Sequence, residues 1–92
     1  MTVDFVYNID FKLDSENSII SWIKRFCEDE GFRVENLVFA FFSDEDLKQL
    51  NIKYLSHDYY TDVISFDDSH DTNLKGNVAI SVDRVRENAK NL

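Results

Sequence analysis

Six consecutive apolar residues, Leu37 to Phe42, constrain the fold more than any other feature of this sequence. The run is apolar at odd and even positions alike, whereas a half-exposed strand alternates apolar and polar residues. It is far shorter than the roughly 20 apolar residues that a membrane-spanning helix needs. We therefore predict a strand buried on both faces, in a sheet covered by helices. Its rings Phe39, Phe41 and Phe42 are assigned to the core rather than to a base-stacking platform.

The other elements follow from spacing and capping signals. Val3–Tyr7 is rich in residues that favour strands, and a helix from about Glu16 to Glu30 begins behind Asp14-Ser15 and stops at Gly31. The last two strands should pair antiparallel, because only a short polar turn, 67–75, separates them. A second helix is predicted behind Ser43–Asp46, with one apolar face formed by Leu47, Leu50 and Tyr54. Strands are predicted at Asp62–Phe66 and Asn77–Ile80. A third helix, capped by Ser81 or Asp83, has one apolar face formed by Val82, Val85, Ala89 and Leu92.

Length and charge limit the classes of function. The chain has 92 residues, which is room for one small domain. Eighteen acidic against ten basic residues give a net charge of −8, which excludes a strongly basic protein that coats nucleic acid but leaves room for a local basic groove. The single cysteine, Cys27, makes no internal disulfide, and its neighbours Ile23 and Phe26 suggest a core position. Without a signal peptide or apolar span, we expect a cytoplasmic protein with no membrane contact.

The last predicted helix bears on both chain length and RNA binding. Leu92 lies on its apolar stripe and is the final residue, so we expect that further residues once followed; a short natural helix that frays is the alternative.

Arg84, Arg86 and Lys90 fall on the exposed side of this helix, with Lys75 just before it. This basic patch either docks RNA against an acidic body or is a solvated helix face.

A more specific pattern runs through the second half of the chain. LNIKY (Leu50–Tyr54) is followed by HD (His57-Asp58), by TDVISF (Thr61–Phe66) and by GNVAIS (Gly76–Ser81). This arrangement resembles the YbeY family of bacterial ribosomal-RNA maturation endoribonucleases, whose pattern has the form LNxxYRxKDxPTDVLSF, then GDIxIS, then a helix. The resemblance covers residues 37 to 92.

The elements predicted from the residues include three helices and follow the order β-α-β-α-β-β-α. The resemblance implies an α/β fold with a mixed four-stranded sheet. It also implies a metal-dependent, single-strand-specific endoribonuclease for small-subunit rRNA 3′-end maturation and ribosome quality control, with ribosomal RNA and the small ribosomal subunit as partners. The family's zinc site is a three-histidine motif, HGxLHLxGxDH, downstream of the matched segment. This sequence has only His57 and His70, and neither matches a ligand position. We therefore expect residues 1–92 to be a single domain, the N-terminal part of a longer metallohydrolase domain, with no zinc or nuclease activity of its own.

Three positions depart from the family pattern. Leu55 stands where the pattern has Arg, Tyr60 where it has Pro, and Asn77 where it has Asp. An Arg can hold a phosphate through two parallel hydrogen bonds, and Leu cannot. These changes alter the expected phosphate contact and the charge near the site, and they leave the expected fold unchanged.

By resemblance, the strand with Thr61, Asp62 and Ser65 edges the active-site cleft. Asp62 could orient a histidine ligand or a loop N–H; alternatively, Thr61 and Asp62 cap a turn and Ser65 faces a helix. No His or Lys is placed by sequence to activate Ser65 as a nucleophile. His57 is either an exposed turn residue or a contact to RNA phosphate at the mouth of the cleft. The acidic loop 67–71 is predicted to be a solvated turn, because its spacing fits no calcium-binding loop.

Two functions remain open on the sequence. The first is the scaffold of a zinc-dependent endoribonuclease, and the second is a non-catalytic module of the same fold that binds the ribosome or a protein. A histidine triplet encoded after Leu92 favours the enzyme, and a stop codon there favours the module. An uncovered apolar stripe on the last helix would also permit self-association of these residues.

Overall fold

The helices and strands follow one another in the predicted order, β-α-β-α-β-β-α. They are seen in a computed structural model that describes residues 2–91. Within these residues, no helix is long and apolar enough to cross a membrane. The elements are β1 (Thr2–Tyr7), α1 (Glu16–Asp29), β2 (Arg33–Phe42), α2 (Asp44–Leu55), β3 (Val63–Asp67), β4 (Asn73–Ser81) and α3 (Val82–Lys90).

The strand with the unbroken apolar run, β2, lies inside the sheet. The strand order is β1-β2-β4-β3, so β2 has a neighbour on each side. It pairs in parallel with β1 and β4, while β3 and β4 form the predicted antiparallel hairpin. None of residues 37–42 is exposed. The mixed four-stranded sheet is confirmed. The central position of β2 is confirmed too, but of residues 37–42 only Phe41 is fully buried and the other five are half-buried.

Two strands are longer than apolar patterning predicts. β2 begins at Arg33 rather than Leu37, and β4 begins at Asn73 rather than Asn77. The two early segments are partners of each other: Arg33 pairs with Asn73, and the N–H of Arg33 donates to the carbonyl of Thr72. Backbone pairing needs no apolar side chain, so these polar ends extend the strands, and the predicted polar turn is correspondingly shorter.

The buried core lies on the sheet face that α2 covers. Leu47 of α2 packs against Ile64 of β3 and Ala79 of β4, and none of the three is more than 4% exposed. Ile64 and Ala79 are register partners, so their side chains point to the same face. The partly buried residues around this cluster are Phe42, Leu50 and Phe66.

The opposite face of the sheet carries aromatic residues. Phe41 precedes Phe42 in β2, so the two rings point to opposite faces. Phe41 is buried, stacks on Tyr7 at a centroid distance of 5.3 Å and contacts Phe11 at 5.2 Å. The Tyr7 hydroxyl donates to the Glu16 carboxylate at 2.6 Å, which ties the first turn of α1 to this face. β2 therefore contributes rings to the packing on both sides.

Serine hydroxyls cap α2 and α3 at their N-termini, as predicted. The Ser43 Oγ accepts from the N–H of Asp46 at 3.2 Å, and the Ser81 Oγ accepts from the N–H of Arg84 at 3.0 Å. Each bond satisfies one N–H that has no partner inside its helix. Gly31 follows α1 with a φ of 83°, the left-handed conformation that glycine adopts at low cost.

Gly76 is required by the close approach of β3. A Cβ atom at this position would lie 2.4 Å from the carbonyl oxygen of Phe66, which is a backbone atom and cannot turn away. Any side chain at Gly76 would therefore push the β3–β4 hairpin apart. The sequence marks Gly76 only as the end of a turn, whereas the structure places it within β4, opposite Asp67.

The predicted apolar faces of α1 and α3 are partly wrong. Phe26 is 55% exposed, because it lies to one side of the half-buried stripe that includes Cys27. Cys27 is therefore half-buried rather than in the core, and burial raises the pKa of its thiol. In α3, Val85 is 43% exposed, since only the first residue of that helix, Val82, is buried. The last position of the predicted stripe, Leu92, lies outside the described residues.

Truncation of Leu47 tests the location of the core. We expect Leu47→Ala to lower the free energy of unfolding by about 3 kcal/mol, because it removes a fully buried side chain at the α2–sheet contact. Ile52→Ala in the same helix removes a more exposed side chain and should cost no more than about 1 kcal/mol. Urea denaturation measures both. Equal losses for the two variants would contradict this assignment of the core.

Candidate functional site

Two helices begin side by side at one edge of the sheet. β2 and β4 run parallel and end together, with Phe42 opposite Ser81. α2 begins at Asp44 and α3 at Val82, so both helix N-termini lie at this edge. Ligand sites in open α/β sheets usually form at the carboxyl ends of the strands. We call residues 43–48, 56–62 and 81–88 the carboxyl edge.

A carboxylate joins the two helix starts. Arg84 donates to Asp44 from Nη2 at 2.6 Å to Oδ2 and from Nε at 3.3 Å to Oδ1. The Ser81 hydroxyl donates to the same carboxylate at 3.1 Å, and in return Asp83 accepts from the backbone N–H of Asp44 at 2.9 Å. The hydrogen bonds to Asp44 raise the pKa of Arg84. These reciprocal bonds fix the starts of α2 and α3 relative to each other.

Tyr60, which stands where the pattern described above has proline, lies next to this ion pair. Its ring carries two cations: the Lys48 Nζ is 4.5 Å from the ring centroid and the Arg84 Cζ is 5.1 Å from it. The Tyr60 hydroxyl donates to the Glu45 carboxylate at 2.9 Å, and this bond raises the pKa of the phenol. Lys48 also approaches Asp58 at 3.7 Å. The loop before β3 is thereby attached to both helix starts.

His57 is exposed, and its ring stacks on that of Tyr59. The ring centroids are 5.1 Å apart and the planes are inclined by 19°. The Tyr59 hydroxyl and the His57 Nδ1 are 2.8 Å apart and share a hydrogen bond. The exposed turn position matches one of the two predictions for His57. Its contact with RNA phosphate stays a prediction.

The candidate residues of the TDVISF segment are Thr61, Asp62 and Ser65. Of these, Asp62 is the one that hydrogen bonds connect to other residues of the carboxyl edge. The Asp62 carbonyl accepts from the N–H of Ser81 at 2.8 Å, and its carboxylate accepts from the Asn88 side chain at 3.2 Å. Thr61 precedes it and is half-buried. Ser65 lies farther along β3, is exposed, and points to the sheet face opposite the core cluster. Asp62 and Ser65 are therefore not parts of one cluster.

The basic residues predicted to dock RNA do not form one patch. Arg84 is half-buried and paired with a carboxylate rather than exposed. Arg86, two positions later, lies on another side of α3 with its Cζ 5.7 Å from the ring of Phe11, and Lys90 is exposed one turn beyond it. Lys75 lies in β4, six residues before Ser81 at the end of that strand, so it is on the order of 20 Å along the strand from the start of α3. The RNA contact of Arg84, Arg86 and Lys90 stays a prediction.

The described residues do not fit a zinc site. A catalytic zinc takes three protein ligands, and within residues 2–91 no group of three His, Cys, Asp or Glu side chains is arranged to hold a metal ion. His57 lies at the carboxyl edge, whereas His70 lies in the β3–β4 turn, where its backbone pairs with Asn73. In the acidic loop, hydrogen bonds with Ser69 lower the pKa of Asp67, so this carboxylate caps the turn.

Sequence reasoning missed three residues that shape the site. Asp44 is interpreted from sequence only as an acid in a first helical turn, and its partner Arg84 is too distant in sequence for any spacing rule. Asn51 has a signal, because it lies on the apolar face of α2 four residues after Leu47, where an amide needs a partner. Tyr59 has none, because a tyrosine in a polar loop does not reveal which ring it will stack on.

Comparison with known proteins identifies relatives over nearly the whole chain. The family model described as endoribonuclease YbeY matches residues 6–92. The endoribonuclease YbeY of Christiangramia forsetii is 40% identical over 87 residues, which are 95% of this chain and 61% of the relative. That of Amoebophilus asiaticus is 43% identical over 86 residues, which are 92% of this chain and 58% of the relative. The chain thus spans about three fifths of the length of the curated relatives it matches.

A double-mutant cycle tests the link between the helix starts. We expect Asp44→Ala and Arg84→Ala to couple by about 0.5–1 kcal/mol in unfolding free energy, because their side chains are only 24% and 33% exposed and make two hydrogen bonds. The matched control is Lys48→Ala with Asp58→Ala, whose carboxylate is 80% exposed at 3.7 Å. That pair should couple by no more than about 0.2 kcal/mol. Equal coupling in the two cycles would contradict the assignment.

Proposed function

Because this chain belongs to the YbeY endoribonuclease family, we propose that it forms the scaffold of a metal-dependent endoribonuclease that cuts single-stranded RNA. Its proposed role is 3′-end maturation of small-subunit ribosomal RNA and ribosome quality control in the cytoplasm, with ribosomal RNA and the small ribosomal subunit as partners. The observation that carries the proposal is the family match over residues 6–92, which includes the whole carboxyl edge.

Asp62 is a positioning residue in this proposal. Its carbonyl accepts from the N–H of Ser81, the last residue of β4, and its carboxylate accepts from the side chain of Asn88 in the second half of α3. These bonds connect the residue before β3 to the end of β4 and to α3, at the edge where a ligand of an open sheet is expected. RNA bound there would contact a surface whose elements are held at fixed distances from one another. This matters because catalytic rates are sensitive to a misplacement of the substrate by about 1 Å.

The proposed zinc ion has no site among the described residues. We propose that its ligands in the complete enzyme are histidines outside residues 2–91, as the family motif implies. The carboxyl edge then contributes substrate binding and positioning, and no proton or phosphoryl transfer is assigned to its side chains.

Cleavage of labelled RNA by the product of the complete reading frame tests the proposal. We expect this protein to cut a single-stranded oligoribonucleotide, to leave the same sequence intact in a duplex, and to lose activity in a chelator. Asp62→Ala should lower the cleavage rate about tenfold or more, because the residue before β3 loses its side-chain bond to Asn88 of α3.

The matched control is Asp68→Ala, which removes an exposed carboxylate from the β3–β4 turn and should leave the rate unchanged. Thermal unfolding of both variants separates a loss of positioning from a loss of folding. Binding of RNA without any cleavage would contradict the enzyme and favour a non-catalytic binding module.

A further inference from the structure

The stacked rings of His57 and Tyr59 form an exposed surface that the packing of the described residues does not use. Tyr59 is 53% exposed and His57 is also exposed, yet the two rings have a defined relative orientation, with a 5.1 Å centroid distance and a 2.8 Å hydrogen bond. Exposed apolar surface is unfavourable in water unless a ligand covers it. A fixed pair of exposed rings is therefore a candidate binding surface.

The loop that carries these rings is hydrogen-bonded to a buried asparagine of α2. Asn51 is 1% exposed. Its backbone carbonyl accepts from the N–H of His57 at 3.1 Å, and its side-chain amide donates to the backbone carbonyl of Tyr59 at 3.1 Å. Ser56, which ends α2, has a φ of 57°, so the chain turns sharply before His57. These bonds restrain the backbone on either side of the two rings, which reduces the ordering cost of binding.

We propose that His57 and Tyr59 form a stacking platform for the bases of single-stranded RNA, an inference that rests on the proposed function. Every base has a flat face, so a ring pair of this kind binds unpaired bases without regard to sequence. Bases in a duplex are already stacked on their neighbours and are inaccessible to the platform. The platform therefore favours single strands over duplexes.

The charge of the chain supports stacking as a main source of affinity. A formal charge of −8 disfavours approach of a phosphate backbone. At the carboxyl edge, Arg84 is paired with Asp44, so its guanidinium is not a free cation for phosphate. Leu55 also stands where the family pattern has Arg. Contacts that do not depend on charge must then supply more of the binding, and the exposed rings supply such contacts.

Binding of a fluorescein-labelled single-stranded oligoribonucleotide to the protein used for the cleavage test measures the platform. We expect Tyr59→Leu to weaken binding roughly 5- to 150-fold, the range found for the loss of one stacked base. Tyr59→Phe keeps the ring and should bind almost as well as the unsubstituted protein. Trp22→Leu removes another exposed ring, 65% exposed on α1, and should leave binding unchanged.

An abasic scan of the oligonucleotide removes the stacking contact from the RNA side. Removing the base that contacts the platform should weaken binding by the unsubstituted protein, and Tyr59→Leu should then add no further loss. Unchanged binding by Tyr59→Leu, or no response at any abasic position, overturns the platform; if cleavage of single strands persists, the proposed function survives. Absence of both RNA binding and cleavage in the unsubstituted protein overturns both.

Discussion

The carboxylate of Asp44 holds together the part of this molecule where a ligand is expected. The parallel strands β2 and β4 bring two helix N-termini to adjacent positions, and each N-terminus carries a partial positive charge. A negative group between them is favourable, and Asp44 supplies it while also bonding Ser81 and Arg84. In the opposite direction, the Asp83 carboxylate of α3 accepts from the backbone N–H of Asp44 in α2. Without these bonds, the starts of α2 and α3 would be connected only through the sheet and through the contacts of Tyr60 with both helices.

One departure from the family pattern, Tyr60, can be understood from its contacts around the same ion pair. Tyr60 stands in place of proline, and its ring lies under the cations of Lys48 and Arg84 while its hydroxyl bonds Glu45. A flexible tyrosine in place of a rigid proline would loosen the loop if it were unpaired. Here its contacts attach the loop to both helices, and its neighbour Tyr59 is held by the buried Asn51. Side-chain contacts thus connect this loop to α2 and α3.

Local physics made much of the fold predictable. The unbroken apolar run at Leu37–Phe42 indicated the central strand, and capping at Ser43 and Ser81 depends only on residues three positions apart. Strand ends were less predictable, since the pairing of Arg33 with Asn73 uses backbone groups that every residue has. Errors in the helix faces followed from the same limit, because spacing shows which residues align and does not show which of them a neighbour covers.

The candidate site was only partly predictable, for a reason of distance along the chain. Asp62 followed from the family pattern, but the partners that give it a role, Ser81 and Asn88, lie far away in sequence. Arg84 was placed on an exposed helix side because nothing local indicates its pairing with Asp44. Such pairs depend on the parallel arrangement of β2 and β4, which appears only when the sheet is assembled.

The central claim is that RNA binds at the carboxyl edge, and amide NMR spectra recorded during titration with a single-stranded oligoribonucleotide test it most directly. We expect the largest changes in chemical shift on residues 56–62 and on the starts of α2 and α3, with little change along α1. Changes concentrated on α1, around the exposed rings of Trp22 and Phe26, would contradict it.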